Sequence, residues 1–319
     1  MTQTANPYTG NPLAGRDVLR LLDLTPEEVK LVLDTAAKQK ADWAAGIYEK
    51  PYENKAVAII LEKPSMRTRN SFDVGATRLG AHSIVMSDSH SAFSRGESVK
   101  DTTMVLERFV DAIVIRTFAQ AKVEEVAKWA SIPVVNALTD DYHPCQVLAD
   151  MLTAREHLGD LDKLTMAYVG DGNNMANTYL EGGALTGMNV KIATPEGYEP
   201  SESNSNECLE AAKATGAKLE LMRDPVEAVT GADIVITDTW TSMGDEAEHD
   251  ARLAAFAGYQ VDAKMMSLAA PNAIFMHCLP AHRGEEVTDE VMDGPQSAIY
   301  DEAENRLHAQ KALLSLIMA

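Results

Sequence analysis

Short apolar runs alternate along this chain with longer segments of helical periodicity. Ala56–Leu61 (AVAIIL), Ala112–Ile115 (AIVI), Pro133–Ala137 (PVVNA), Met166–Val169 (MAYV), Asp233–Thr237 (DIVIT) and Ala273–Met276 (AIFM) are nearly continuous apolar stretches of strand length. Such runs belong to strands covered on both faces, as in parallel sheets. Asn189–Ala193 and Lys218–Met222 extend the series. Between them, Thr25-Pro26-Glu27-Glu28 has the capping-box pattern with proline at the first helical position and predicts a helix to about Gly46. Asn70–Leu79 predicts a helix ending at Gly80, and Pro144–Leu158 is apolar at helical spacing and stops at Gly159. A last amphipathic helix is predicted from about Glu302 to Met318, whereas the acidic, Ser/Asn-rich Glu196–Glu207 reads as a solvated loop.

This alternation predicts an α/β protein of two domains, each a parallel-sheet βα sandwich: residues 1–150 and residues 151–301. Pro144–Leu158 is expected to be the helix connecting them, and the final helix, about 302–319, to pack back on the first domain. Each of the first six strands runs into polar residues: Ser65-Met66-Arg67-Thr68-Arg69, Arg116, His143-Pro144-Cys145-Gln146, Gly170-Asp171-Gly172-Asn173-Asn174, Asp238 through Gly244, and His277-Cys278-Leu279-Pro280. Ligands of open α/β sheets bind at the carboxyl ends of the strands, so one shared active-site cleft between the two domains is expected.

At 319 residues the chain is long enough for two cores. Its 28 basic and 48 acidic residues leave a formal charge of −20, which argues against nucleic acid or an anionic membrane as partner. An anionic substrate then needs a local positive cluster, for which Arg67, Arg69, Arg116 and Arg306 are candidates. No apolar stretch reaches the roughly 18 residues of a membrane span, the start MTQTANPYTGNP does not read as a signal peptide, and a cytoplasmic location is expected. Three cysteines without CxxC spacing fit a reducing compartment and no structural zinc.

The loop after Ala56–Leu61 joins a strand to a helix start, where Ser65 and Thr68 hydroxyls, helix N–H groups and the forked Arg67 guanidinium would hold a phosphate; the plainer alternative is that Ser65 simply caps the helix. His143 and Gln146, three residues apart at a helix start, share a face and can serve one ligand. Gly170-Asp171-Gly172 invites a dinucleotide-binding reading, but the third glycine of that fingerprint falls on Met175, and adjacent asparagines suit a carboxylate better. Asp238 and Ser242 can accept from an ammonium group while backbone N–H groups near Met243 donate to a carboxylate, which describes an amino-acid clamp. Cys278, at a strand end before Leu279-Pro280, is expected to face the site with its thiol, alongside the Cys278 and Leu279 carbonyls, with Leu279 held extended by the following proline. A cysteine-nucleophile hydrolase is the rival, and it lacks an identifiable oriented base. For His277 a structural role is favoured, and a His/Cys metal site is disfavoured by the spacings.

Together these stretches, with Glu304-Asn305-Arg306 near the end, closely resemble those of the ornithine carbamoyltransferase family over essentially the whole length. The resemblance implies transfer of the carbamoyl group of carbamoyl phosphate to the δ-amine of L-ornithine. It assigns Ser65, Met66, Arg67, Thr68 and Arg116 to the phosphate, and His143, Gln146, Arg306 and the Cys278 and Leu279 carbonyls to the carbamoyl group. Asn174, Asp238, Ser242 and Met243 fall to ornithine; Arg116, His143, Cys278 and Asp238 are the expected catalytic groups. It further implies a homotrimer or a multiple of trimers with shared active sites, small-molecule substrates only, and no metal or organic cofactor. Two positions depart from the family pattern: Met66 stands where threonine is commonest, and Ala92 where glutamine or histidine is expected. Transfer to a related amine, such as putrescine or an acylated ornithine, and a non-catalytic binding paralogue are the alternatives.

Overall fold

The computed structural model describes residues 6–87, 93, 96–241 and 246–319, and it divides into two units. Met1–Leu152 and Glu304–Ala319 form the first; Thr153–Ala303 form the second. In the first, strands β1 (Ala56–Leu61), β2 (His82–Ser87), β3 (Ala112–Arg116) and β4 (Val134–Leu138) make an all-parallel sheet in the order β2-β1-β3-β4. Its helices are α1 (Pro26–Ala44), α2 (Met66–Arg78), α3 (Val99–Leu106), α4 (Gln120–Trp129) and α5 (Pro144–Leu158), of which α5 runs past the division between units. The second unit has β5 (Thr165–Val169), β6 (Asn189–Ala193), β7 (Leu219–Met222), β8 (Ile234–Ile236) and β9 (Ile274–Met276), parallel in the order β7-β6-β5-β8-β9. Its helices are α6 (Asn174–Thr186), α7 (Glu202–Thr215), α8 (Pro225–Val229), α9 (His249–Ala255), α10 (Ala263–Met266) and α11 (Asp289–Met292). The closing helix α12 (Ile299–Ile317) starts in the second unit and has most of its length in the first.

The predicted strands exist, with ends shifted by a residue or so, and Val57–Leu61 and Ala112–Arg116 are buried throughout. The periodicity reading named no strand at β2: HSIVMS pairs on one side only, its residues are half-buried to exposed, and it shows no continuous apolar run. Helix α1 begins as predicted, with the Thr25 side chain accepting from Glu28 N and Glu28 reaching back to Thr25 N. Helix α2 starts four residues before the predicted Asn70, because Ser65 Oγ accepts from Thr68 N and caps it there. The predicted solvated loop Glu196–Glu207 is corrected over its second half: Ser201 caps α7, and buried Asn204 donates to the carbonyl of Asn177 on α6. Polar side chains there satisfy helix ends, which composition alone reads as solvation.

Both sheets reverse direction at one point. In the first it lies between β1 and β3, where Leu61 is in register with Arg116; in the second it lies between β5 and β8, where Tyr168 is in register with Ile236. At such a point consecutive connections leave to opposite sides and open a crevice above the strand ends. The loops after β1 and β3, and after β5 and β8, carry the candidate site residues.

Candidate functional site

Each unit carries one group of the residues singled out by the sequence. In the first, Arg306 of α12 is 2% exposed and is held from three directions. Its Nη1 donates to Gln146 Oε1 of α5 (2.5 Å) and its Nη2 to Thr68 Oγ1 of α2 (3.3 Å). With the Gln310 amide turned so that its nitrogen donates to Ser71 Oγ, the Gln310 oxygen accepts from Arg306 Nη2 (2.9 Å) and Nε (2.8 Å). That orientation is consistent with the Ser71 hydroxyl, which donates to the carbonyl of Arg67. Gln146 in turn donates from Nε2 to Asp150 Oδ1 (2.8 Å), one turn along α5 in a fully buried position. The amide oxygen of Gln146 is thereby directed at Arg306, so its role is not simply to donate to a ligand.

Thr68 is fully buried on the first turn of α2, which Ser65 caps, while the Met66 side chain is 69% exposed. Position 66 therefore offers its backbone N–H at the positive end of the helix. Ser65 does cap α2, and Arg67 stands on the first turn of that helix. Arg116 ends β3 and is buried. His143 immediately precedes α5 and is buried; burial first, then the charges of Arg306, Arg116 and Arg67, hold its pKa well below the ordinary 6.5. His143 is thus a neutral imidazole in the field of three guanidinium groups, an arrangement that suits an anionic ligand and lets the histidine donate or accept hydrogen bonds without adding charge.

In the second unit Asp238 follows β8 and is 8% exposed. Its Oδ1 accepts from Thr239 N (2.8 Å) and from the Cys278 thiol (3.1 Å), and its Oδ2 from Asn173 Nδ2 (2.8 Å). Cys278 is partly accessible, whereas the other two cysteines, Cys145 and Cys208, are buried, and burial pushes the Cys145 thiol up to about 12. Asn174 opens α6. Gly172 admits no side chain: a Cβ there would lie 2.2 Å from the Glu199 carbonyl carbon, so the loop carrying both asparagines is pressed against residues 198–200. Arg252 Nη1 donates to Asp171 Oδ2 and to the Trp240 carbonyl (both 2.9 Å), tying the loop after β5 to the loop after β8. Sequence reasoning passed over Arg252 and Asn173 as individual residues; an arginine on an exposed-looking helical stretch carries no signal of the loops it joins.

Two expectations at β9 resolve differently. His277 is buried and structural: its Nδ1 accepts from Leu279 N (2.9 Å) and its Nε2 faces Glu286 Oε1 (3.2 Å), which makes it the Nε2-protonated tautomer. Leu279 is not extended but lies at φ 58°, in the left-handed region, before a cis peptide to Pro280. The bond from its own N–H back to His277 closes this turn, a local hydrogen bond overriding the preference that a following proline imposes. Asp238, His277 and Cys278 offer ligand atoms within 4.8 Å of one another. Both nitrogens of His277 are already engaged, so the trio does not form a ready metal site. Ser242 and Met243, expected to complete the amino-acid clamp, lie outside the described residues, as does Ala92.

Residues 16–156 match the family model described as aspartate/ornithine carbamoyltransferase, carbamoyl-P binding domain, and residues 162–317 match the corresponding Asp/Orn binding domain. A relative named ornithine carbamoyltransferase from Symbiobacterium thermophilum is 54% identical, over 96% of this chain and 99% of its own length. The solved ornithine carbamoyltransferase from Pyrococcus furiosus superposes with a TM-score of 0.93 at 47% identity, covering 96% of this chain and 98% of that one. The Thermus thermophilus structure of the same name gives 0.85 at 40% identity, over 95% and 99%. The chain belongs to the aspartate/ornithine carbamoyltransferase family.

Proposed function

We propose that this protein transfers the carbamoyl group of carbamoyl phosphate to the δ-amine of L-ornithine, giving L-citrulline and phosphate. The observation that carries the reading is the opposite polarity of the two half-sites. Arg67, Arg116 and a neutral His143 lie in the part that matches a carbamoyl-P binding domain, and Arg306, from the C-terminal helix, folds into the same unit and adds its charge at His143. A hydrogen-bonded Asp238 carboxylate sits beside a thiol in the part that matches an Asp/Orn binding domain. The relatives named ornithine carbamoyltransferase support ornithine over aspartate as acceptor.

The chemistry follows from these groups. A lysine-like amine with pKa ~10.4 is neutral in only about one molecule in 10³ at pH 7, so deprotonation must be favoured before attack on the carbonyl carbon. Asp238 and Cys278 receive or relay that proton; Asp238 with Ser242 takes the α-amino group, and Asn174 with Met243 the α-carboxylate. Charge then grows on the carbonyl oxygen, stabilised by His143 and Thr68 with Gln146 and Arg306 fixing the carbamoyl group, and on the departing phosphate, held by Ser65, Met66, Arg67, Thr68 and Arg116. We place this activity in arginine biosynthesis and in the cytoplasm, the latter in keeping with three cysteines that form no disulfide. We also read the chain as a homotrimer. Phe109 (70% exposed), Val105 (53%) and Met104 (40%) form the kind of apolar surface that a partner subunit covers, and light scattering on the purified protein tests the trimer.

Citrulline formation from ornithine and carbamoyl phosphate is the direct assay. Putrescine lacks the α-carboxylate and leaves its donors unpaired, so its kcat/KM is expected to be lower by about 10³-fold or more. Comparable turnover of the two amines would refute ornithine as the acceptor.

A further inference from the structure

We infer that Asn173, rather than serving only as the cap of α6, is the positioning residue that sets the Asp238 carboxylate for the acceptor amine; the inference rests on the carbamoyltransferase reading above. Asn173 spends both ends of its amide inside the protein. Its Oδ1 accepts from Met175 N (2.9 Å) and Ala176 N (3.4 Å), N–H groups of the first turn of α6, and lies 3.4 Å from the Tyr168 hydroxyl. Two N–H donors around one atom identify it as the oxygen: reversing the amide would set its –NH2 against N–H groups and its oxygen against a carboxylate. The –NH2 is therefore committed to Asp238 Oδ2, at 2.8 Å.

The consequence is for the carboxylate. Asp238 already receives Thr239 N and the Cys278 thiol on Oδ1. The Asn173 donor on Oδ2 fixes the rotation of the carboxylate plane, so the lone pairs left for an ammonium group point in one direction. The backbone of the loop is itself immobilised, by Gly172 N donating to Tyr198 O (2.8 Å) and by the absence of room for any side chain at position 172. Tyr168 stays a donor: burial, followed by the charge of Asp238, holds its pKa well above 10.0, and its hydroxyl donates to the Asp171 carbonyl at 2.8 Å. A helix start, a tyrosine and a strand-end carboxylate thus form one hydrogen-bonded unit, and Asn173 is the residue that joins its parts.

The two roles separate by substitution, because aspartate and serine cap helices as well as asparagine does. Asn173→Ser keeps an oxygen for Met175 N and Ala176 N and removes the donor to Asp238. Asn173→Asp keeps the cap and sets two carboxylates in contact, one of which must then hold a proton. With the unchanged protein first shown to make citrulline, both variants are expected to melt within a few degrees of it, to raise KM for ornithine by about tenfold or more, and to leave KM for carbamoyl phosphate within about twofold. Asn173→Asp is further expected to lose ornithine affinity as pH rises, since the shared proton that stands in for the amide donor is lost. Asn173→Ala, which removes cap and donor together, is expected to add a loss of thermal stability to the same KM change. Unchanged KM for ornithine and an unchanged pH profile in Asn173→Ser and Asn173→Asp would reduce Asn173 to a cap. An unchanged protein that makes no citrulline would instead refute the underlying activity.

Discussion

The two groups of candidate site residues, one in each unit, solve opposite electrostatic problems with different degrees of interlocking. In the first unit Arg116 and Arg306 are buried, and the Arg306 guanidinium bonds to other site or support residues, among them Gln146, Thr68 and Gln310, with Asp150 and Ser71 behind them. In the second, one carboxylate is fixed by an asparagine, a backbone N–H and a thiol that is itself partly accessible. A buried guanidinium without ready acceptors would be very costly, so the anion half has to be built as a closed network. The buried Asp238 carboxylate has three fixed donors on its two oxygens, which leaves lone pairs for a further donor.

That contrast predicts unequal sensitivity. The largest effect is expected for Arg306→Lys. An ammonium group cannot serve Gln146, Thr68 and Gln310 together, so buried acceptors are left unmatched, and kcat/KM for carbamoyl phosphate should fall by at least about 10²-fold with a lower melting temperature. A loss of less than about threefold would show that the network is not what organises the anion site. Cys278→Ser should do less, because a hydroxyl still donates to Asp238: about a tenfold loss of kcat, a raised KM for ornithine and a shifted pH profile. A trapped carbamoyl thioester on Cys278 would show nucleophilic chemistry there and overturn the proton-relay role. The smallest expected effect is thermodynamic. His143 has a folded-state pKa held below the ordinary 6.5, so the unfolded chain takes up its proton first as pH falls. Its contribution to stability is therefore complete above that value and is lost below it, by at most about 1.4 kcal/mol for each pH unit. Denaturant melts from pH 7 downwards test this, with His143→Gln expected to flatten the difference.

Much of this was legible in the chain because parallel strands are apolar end to end and their polar residues gather at one edge. The loops at both reversal points were found that way, from Ser65 to Thr68 and Arg116 in one sheet and Asp171 to Asn174 and Asp238 in the other. The less legible parts share one cause: the hydrogen bonds concerned join residues far apart in sequence or compete with a local preference. Gln310 and Asp150 read as ordinary helix positions until Arg306 is seen beside them. Asn173 and Asn174 look equivalent in sequence, yet Asn173 is the helix cap with its amide on Asp238. Edge strand β2 lacks the apolar run that marked its neighbours, and Leu279 follows its bond to His277 instead of the rule for residues before proline.

The division of the chain also has a meaning in time. The sheet of the first unit is complete by Leu138, but Arg306 belongs to the stretch Glu304–Ala319 that returns to it after the whole second unit. At a synthesis rate of about 5–20 residues per second, the interval between residues 152 and 306 lasts roughly 8–30 s. Throughout it, a nascent chain carries the cap of α2, Arg116 and His143 without the guanidinium that links α2 to α5. A prematurely terminated product is thus left without the guanidinium that ties Thr68 to Gln146, so the hydrogen-bonded network of the first unit closes only when translation has reached the last helix.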